Sequence, residues 1–233
     1  MVSNYAGTEL EVFSHARNWK RYVARHIGAY LTGDVLEVGS GIGSSTRLLC
    51  DGAHQRWVCL EPDSDLSARA RNMLEPDGVN CEFIDGTIDA IPPGETFDTI
   101  LYIDVLEHIA DDRVELIRAS RHLKRSGVIC ALAPAHPRLY SAFDKAIGHF
   151  RRYTKATISA MDLPGLKLER LRYLDCCGLA PSAVNRYILN SAEPTLSQIM
   201  FWDRLLVPIS RFIDPLIGYS AGKSVLAVWR RTD

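Results

Sequence analysis

Val35-Leu36-Glu37-Val38-Gly39-Ser40-Gly41-Ile42-Gly43 decides the fold. A short β-rich run beginning at Asp34 ends in glycines on alternate positions. Residues 44–49 then read as the start of a helix. Glycines after a strand permit a tight turn and let a ligand approach the backbone closely. The dinucleotide pattern Gly-x-Gly-x-x-Gly is not met, because Ser44 stands where its third glycine would fall. The carboxylate of Glu37, inside the strand end, disfavours a pyrophosphate and favours a cationic ligand.

Working outward, the same rhythm repeats. Residues 56–60, 80–84, 97–103 and 127–132 read as strands, and residues 64–74 and 112–124 as helices. Alternating strands and helices predict a parallel sheet covered on both faces, doubly wound under the right-handed crossover rule. Glu61 ends the second strand, where a carboxylate can accept both hydroxyls of a ribose. A sulfonium nucleoside meets both demands, a ribose and a preference for negative surroundings. Asp63 reads equally as a cap on the helix that follows and as a ligand contact.

Residues 1–30 have a helical pattern, with Tyr5, Phe13, Trp19 and Tyr22 suited to core packing or to a lid. After Pro134 the periodicity is lost. Residues 134–160 read as a loop-rich excursion carrying His136, Asp144, His149, Arg151, Arg152, Tyr153 and Lys155. Residues 166–173 and 224–229 read as the last two strands. Residues 182–220 are strongly apolar, but Asp203, Arg204, Arg211 and Asp214 interrupt them, so a spanning helix is not expected. They read as sheet-covering helices or a dimer seam, with a greasy substrate mouth as the alternative.

The 233 residues include 27 Lys+Arg and 28 Asp+Glu, for a net charge of −1, which argues against nucleic acid as the main ligand. At 47% hydrophobic and 24% charged, the chain has the composition of a globular domain, not of a disordered one. Its six cysteines include no CxxC pair, so neither a zinc finger nor a disulfide framework is indicated. With no apolar signal segment at the N-terminus, the expectation is a reduced, cytoplasmic protein of one domain.

The sequence resembles the class I S-adenosylmethionine-dependent methyltransferases. Residues 35–43 resemble that family's first motif, and Leu60-Glu61-Pro62-Asp63 its ribose-binding strand end. Gly86-Thr87-Ile88-Asp89-Ala90-Ile91-Pro92 resembles the segment against the adenine, with Thr87 where the family often has Asp. Residues 97–109 resemble its fourth strand and the turn that follows. The resemblance implies a mostly parallel seven-stranded sheet whose last strand is antiparallel, with helices on both faces.

It also implies S-adenosylmethionine as cofactor, held by Glu37, Gly39, Ser40, Gly41, Gly43, Glu61, Pro62, Thr87, Ile88 and Ile103. The implied reaction is methyl transfer to an oxygen, nitrogen or carbon of a small-molecule or lipid-linked acceptor. The phrase from Pro134 to Tyr153 resembles one bacterial subgroup of the family.

His149 and His108 are the candidate bases, since histidine titrates near neutrality and both follow strand ends. Each has a structural alternative, as a loop network or a packed cap. Tyr22, His136, Arg152 and Tyr153 are candidate acceptor contacts. No metal is expected. The alternatives carried forward are a non-catalytic S-adenosylmethionine-binding protein and a nicotinamide-dependent oxidoreductase.

Overall fold

The computed structural model of the chain describes residues 8–52, 54–189, 191 and 193–232. Seven strands form one sheet: β1 (Asp34–Val38), β2 (Arg56–Glu61), β3 (Glu82–Asp85), β4 (Phe97–Ile103), β5 (Leu123–Pro134), β6 (Leu166–Leu174) and β7 (Ser224–Arg231). Their order is β3-β2-β1-β4-β5-β7-β6, and β7 is antiparallel to both of its neighbours. The order reverses between β1 and β4. Ligands of such sheets bind at the carboxyl ends of the strands flanking that reversal.

Both faces of the sheet are buried, which explains why β1 and β2 read as continuous apolar runs. Alternate residues go to opposite faces. Leu36, Val38, Leu60, Ile100 and Tyr102 pack on one side with Leu116 and Ala119 of α5 (Asp112–Ser120). Val35, Trp57, Cys59 and Leu101 pack on the other with Trp19, Tyr22, Val23 and Ile27 of α2 (Arg17–Ile27).

The remaining helices are α1 (Thr8–Ser14), α3 (Thr46–Leu49), α4 (Ser64–Leu74), α6 (Ala142–Ala146), α7 (Lys155–Ser159), α8 (Leu179–Val184), α9 (Leu196–Phe201) and α10 (Val207–Leu216). The excursion after Pro134 therefore contains two short helices. The N-terminal pattern is broken into α1 and α2, because the Asp203 carboxylate accepts the Asn18 and Trp19 N–H groups and caps α2 there. Tyr5 lies outside the described residues. The helix expected to reach residue 124 stops at Ser120, since Leu123 already pairs with Phe97 of β4.

Three buried aspartates tie the C-terminal helices down. Asp203 holds α2. Asp214 accepts from the Tyr22 hydroxyl (2.7 Å) and from the Asp175 and Cys176 N–H groups. Asp175 accepts from the Trp202 indole (2.7 Å) and the Ser210 hydroxyl (2.6 Å). Pro208 does not end the helical run. It follows a π-helical turn over Trp202–Leu206 that joins α9 to α10, and that irregular turn is where the missing proline N–H is tolerated. The six cysteines are free thiols, and no helix among the described residues is long and apolar enough to cross a membrane.

Candidate active site

The glycine bend leaves β1 with Gly39 at φ +70° and Gly43 at φ +77°. Gly39 N–H donates to the Leu60 carbonyl (2.7 Å), so the bend folds back over β2. Glu61 is buried at the end of β2, and its carboxylate accepts from Gly41 N–H (2.8 Å) and Asp63 N–H (3.1 Å). Burial raises its pKa, against those two bonds. Asp63 caps α4 through Asp65 N–H and Leu66 N–H.

Glu37 corrects an expectation. Its side chain is 2% exposed and points beneath the bend, where Oε2 accepts from the Thr46 hydroxyl (2.7 Å) and the Trp57 indole (3.0 Å). It is not presented to a ligand. Burial pushes its pKa up to about 7, against the two hydrogen bonds.

Between an unfolded pKa of 4.5 and the folded value of about 7, the native state holds a proton that the unfolded chain has released. Stability from this group is therefore complete below the lower value and is lost as pH rises through the upper one, by about 3 kcal/mol. Glu37→Gln is expected to remove that loss, so its stability relative to the parent protein should rise between pH 5 and pH 8. Denaturant unfolding at several pH values reads this directly. The same pH dependence in both proteins would mean that Glu37 is ionised in the native state.

A cavity of about 490 Å³ opens at the carboxyl ends of β1 and β4. Gly39, Ser40 and Gly41 form one end of its wall. Ile103, Asp104, Glu107 and His108 come from β4 and its following turn, and His149 and Arg152 from the excursion after β5. Lys20 of α2 and Lys223, just before β7, face the same space. Lys20 donates to the Phe13 carbonyl (2.7 Å), and burial lowers its pKa to about 8 against the pull of Asp203 and Asp104. Lys223 Nζ lies 3.5 Å from the Trp202 ring centroid, and burial lowers its pKa too. Burial raises the Asp104 pKa, opposed by Lys223, His149 and Lys20. The Asp104 carboxyl and these two amines thus share a mostly apolar cavity with Glu107 and Asp144.

A second cluster stands beside them. Asp144 makes a two-point pair with Arg152 (2.7 and 2.8 Å) and accepts from the Ser141 N–H and hydroxyl. The same carboxylate binds His149 Nδ1 at 2.9 Å. These partners hold the Asp144 carboxyl far below the usual range, despite its burial. The rings of His149 and His108 meet edge to face at 4.5 Å. Burial, with His149 adding to it, lowers the His108 pKa to about 4. Glu107 is fully buried, and burial raises its pKa well above the carboxylate range. Glu107, His108 and His149 each place one ligand atom within 4.8 Å of the others, so metal-ligating geometry is present where none was expected.

The structure thus brings Gly39, Ser40, Gly41, Ile103, His108, His149 and Arg152 to one cavity. Gly43 instead packs against Ala70 and Leu74 of α4. Glu61, Pro62 and Thr87 lie outside the cavity wall, and Ile88 is buried in the core.

Three acceptor candidates are corrected. The Tyr22 hydroxyl is committed to Asp214, and that of Tyr153 to Asp112 (2.6 Å). His136 Nε2 is paired with the Gly222 carbonyl (3.0 Å), and its ring packs on Tyr173. Asp104, Glu107, Lys20 and Lys223 were missed as site residues. No short-range sequence signal marks them; in the structure Asp104 stands out as a non-glycine residue at φ +54° directly after a strand.

Residues 35–127 match the family described as "Methyltransferase domain". That segment, which runs from β1 into β5, is a methyltransferase domain by this match.

Demethylmenaquinone methyltransferase of Tropheryma whipplei (strain Twist) is 28% identical over 131 residues, 56% of this chain and 54% of that protein. The chloroplastic 2-methyl-6-phytyl-1,4-hydroquinone methyltransferase 1 of Oryza sativa subsp. japonica is 31% identical over 105 residues, 44% of this chain and 31% of that one. The chain's match thus spans about half, or less, of the length of these relatives. A putative methyltransferase from Bacillus halodurans C-125 shares the fold, with TM-score 0.63 and 17% identity over 91% of this chain and 99% of that one. Coclaurine N-methyltransferase, solved with N-methylheliamine and SAH, gives TM-score 0.63 and 14% identity, covering 93% and 72%.

Proposed function

We propose that this chain is a class I methyltransferase that moves a methyl group from S-adenosylmethionine to an oxygen, nitrogen or carbon nucleophile on an apolar, lipid-linked acceptor. One observation carries the acceptor class. The cavity that begins at the glycine bend is also lined by Val184 and Leu189, and both are exposed on the outside as well. On the same C-terminal segment Tyr187, Ile188, Leu205, Phe212 (75% exposed) and Leu216 (84% exposed) also present apolar side chains to solvent. Along the same helices Asp203 and Asp214 are buried, while Arg186 and Arg204 are exposed. A greasy face with a positive fringe suits a lipid acceptor at an anionic surface. The named quinone and phytyl-hydroquinone relatives agree with that reading.

The transfer is an in-line displacement. The nucleophile–carbon bond forms as the sulfur–carbon bond breaks, and the positive charge on sulfur is lost. A dry cavity favours that loss, and alignment supplies most of the rest. Gly39, Ser40, Gly41, Glu61 and Ile103 are the proposed cofactor contacts, with Pro62 and Thr87 at the nucleoside side. For an oxygen or nitrogen acceptor the proton goes to His149 or His108. Helix α1 is the proposed lid, since Leu10 approaches Gly41 and Glu11 pairs with Arg69 of α4.

Methyl-labelled S-adenosylmethionine incubated with the protein and a total lipid extract is expected to deliver label to the organic phase. Phe212→Glu combined with Leu216→Glu should lower that transfer without weakening cofactor binding. Label found in water-soluble acceptors alone would overturn the lipid reading.

A further inference from the structure

We infer that Glu107, His108 and His149 form a binding site for a divalent zinc-like metal ion. The first observation is geometric: the three candidate ligand atoms lie within 4.8 Å of one another on the cavity wall. The second is independent of it. Glu107 is fully buried, yet neither carboxylate oxygen makes a hydrogen bond to any described residue. Across the cluster His149 Nε2 lies 3.8 Å from Oε1, which is beyond hydrogen-bond reach. A buried carboxyl without a partner is costly, and a cation removes that cost.

The surroundings already have the form that supports metal ligands. Asp144 takes the Nδ1 side of His149, which assigns the proton to Nδ1 and turns the Nε2 lone pair toward Glu107. Arg152 and Ser141 fix Asp144 in turn. Zinc binds imidazole nitrogen and carboxylate oxygen at about 2.0–2.2 Å, so small rotations of the three side chains close the site. Three protein ligands leave a fourth position, and here it faces the cavity. That position would take an oxygen or nitrogen donor of the acceptor. This last role rests on the proposed methyl transfer. With the ion bound, His149 and His108 would serve as its ligands and not as bases, and the proton of an oxygen or nitrogen donor would pass to bulk water. Metal binding itself does not depend on that reading.

The test uses the full chain, stripped with a chelator and titrated calorimetrically with zinc chloride. S-adenosylmethionine is titrated separately on the same sample. One zinc per chain is expected. Glu107→Gln and His149→Gln should abolish the heat, and Asp144→Asn should weaken binding by about 10–100-fold. Cofactor binding in all three variants shows that they are folded. No zinc heat in a sample that binds S-adenosylmethionine overturns the metal site and leaves the methyltransferase reading standing. Zinc binding unchanged by Glu107→Gln overturns the site too, as adventitious surface binding. Zinc binding without cofactor binding upholds the metal site while removing the cofactor reading.

Discussion

Gly39→Ala is expected to lose about 2–5 kcal/mol of stability, together with measurable S-adenosylmethionine binding. Two effects add. The residue sits at φ +70°, where a side chain costs roughly 1–2 kcal/mol. An added Cβ would also meet Val105 Cγ2 at 2.6 Å and Cγ1 at 3.1 Å, so the turn after β4 must shift. Overpacking of that kind costs about 1–3 kcal/mol. Val105 directly follows Asp104 in the cavity wall, so a shift there disturbs both strand ends at once. Gly28→Ala is the control, since nothing lies within 4 Å of its Cβ position and its φ is −54°. Denaturant unfolding and cofactor titration of both variants make the comparison. A Gly39→Ala protein that unfolds and binds like its parent would show that the bend does not form as described.

The second large effect is expected from Glu61→Ala. Its carboxylate orders the bend from β2 by accepting from Gly41 N–H, and it is the proposed acceptor for the two ribose hydroxyls. Hydrogen bonds to a charged group contribute roughly 1.5–3 kcal/mol each. Losing two predicts at least about 100-fold weaker S-adenosylmethionine binding. Glu61→Gln should fall between, because an amide keeps one acceptor oxygen. Equilibrium dialysis with labelled cofactor gives the constants. Affinity within a few-fold of the parent in both variants would remove Glu61 from the cofactor site.

These two positions were legible in the sequence because their signals are local. A strand that ends in alternating glycines needs positive φ and close approach, whatever surrounds it. A carboxylate at the next strand end lies beside that bend once the strands pair in parallel. Glu37 was misread for an equally physical reason. In a strand buried on both faces, side-chain alternation does not say which face opens to the site, and Glu37 went under the bend to Thr46 and Trp57. His136 and Tyr153 were plausible by residue type, but their polar atoms are taken by Gly222 and Asp112.

The amino-acid order by itself determined the alternation of strands and helices, the glycine bend and the family resemblance. All of these depend on neighbours within a few residues. Only the tertiary structure decided that Lys20 and Lys223, from opposite ends of the chain, face the same cavity as Asp104. It also turned the aspartates of the apolar C-terminal helices inward and left exposed arginines beside their greasy face. It set Glu107, His108 and His149 around one point. Contacts between distant residues follow from how the sheet is covered, and no short-range pattern carries that information.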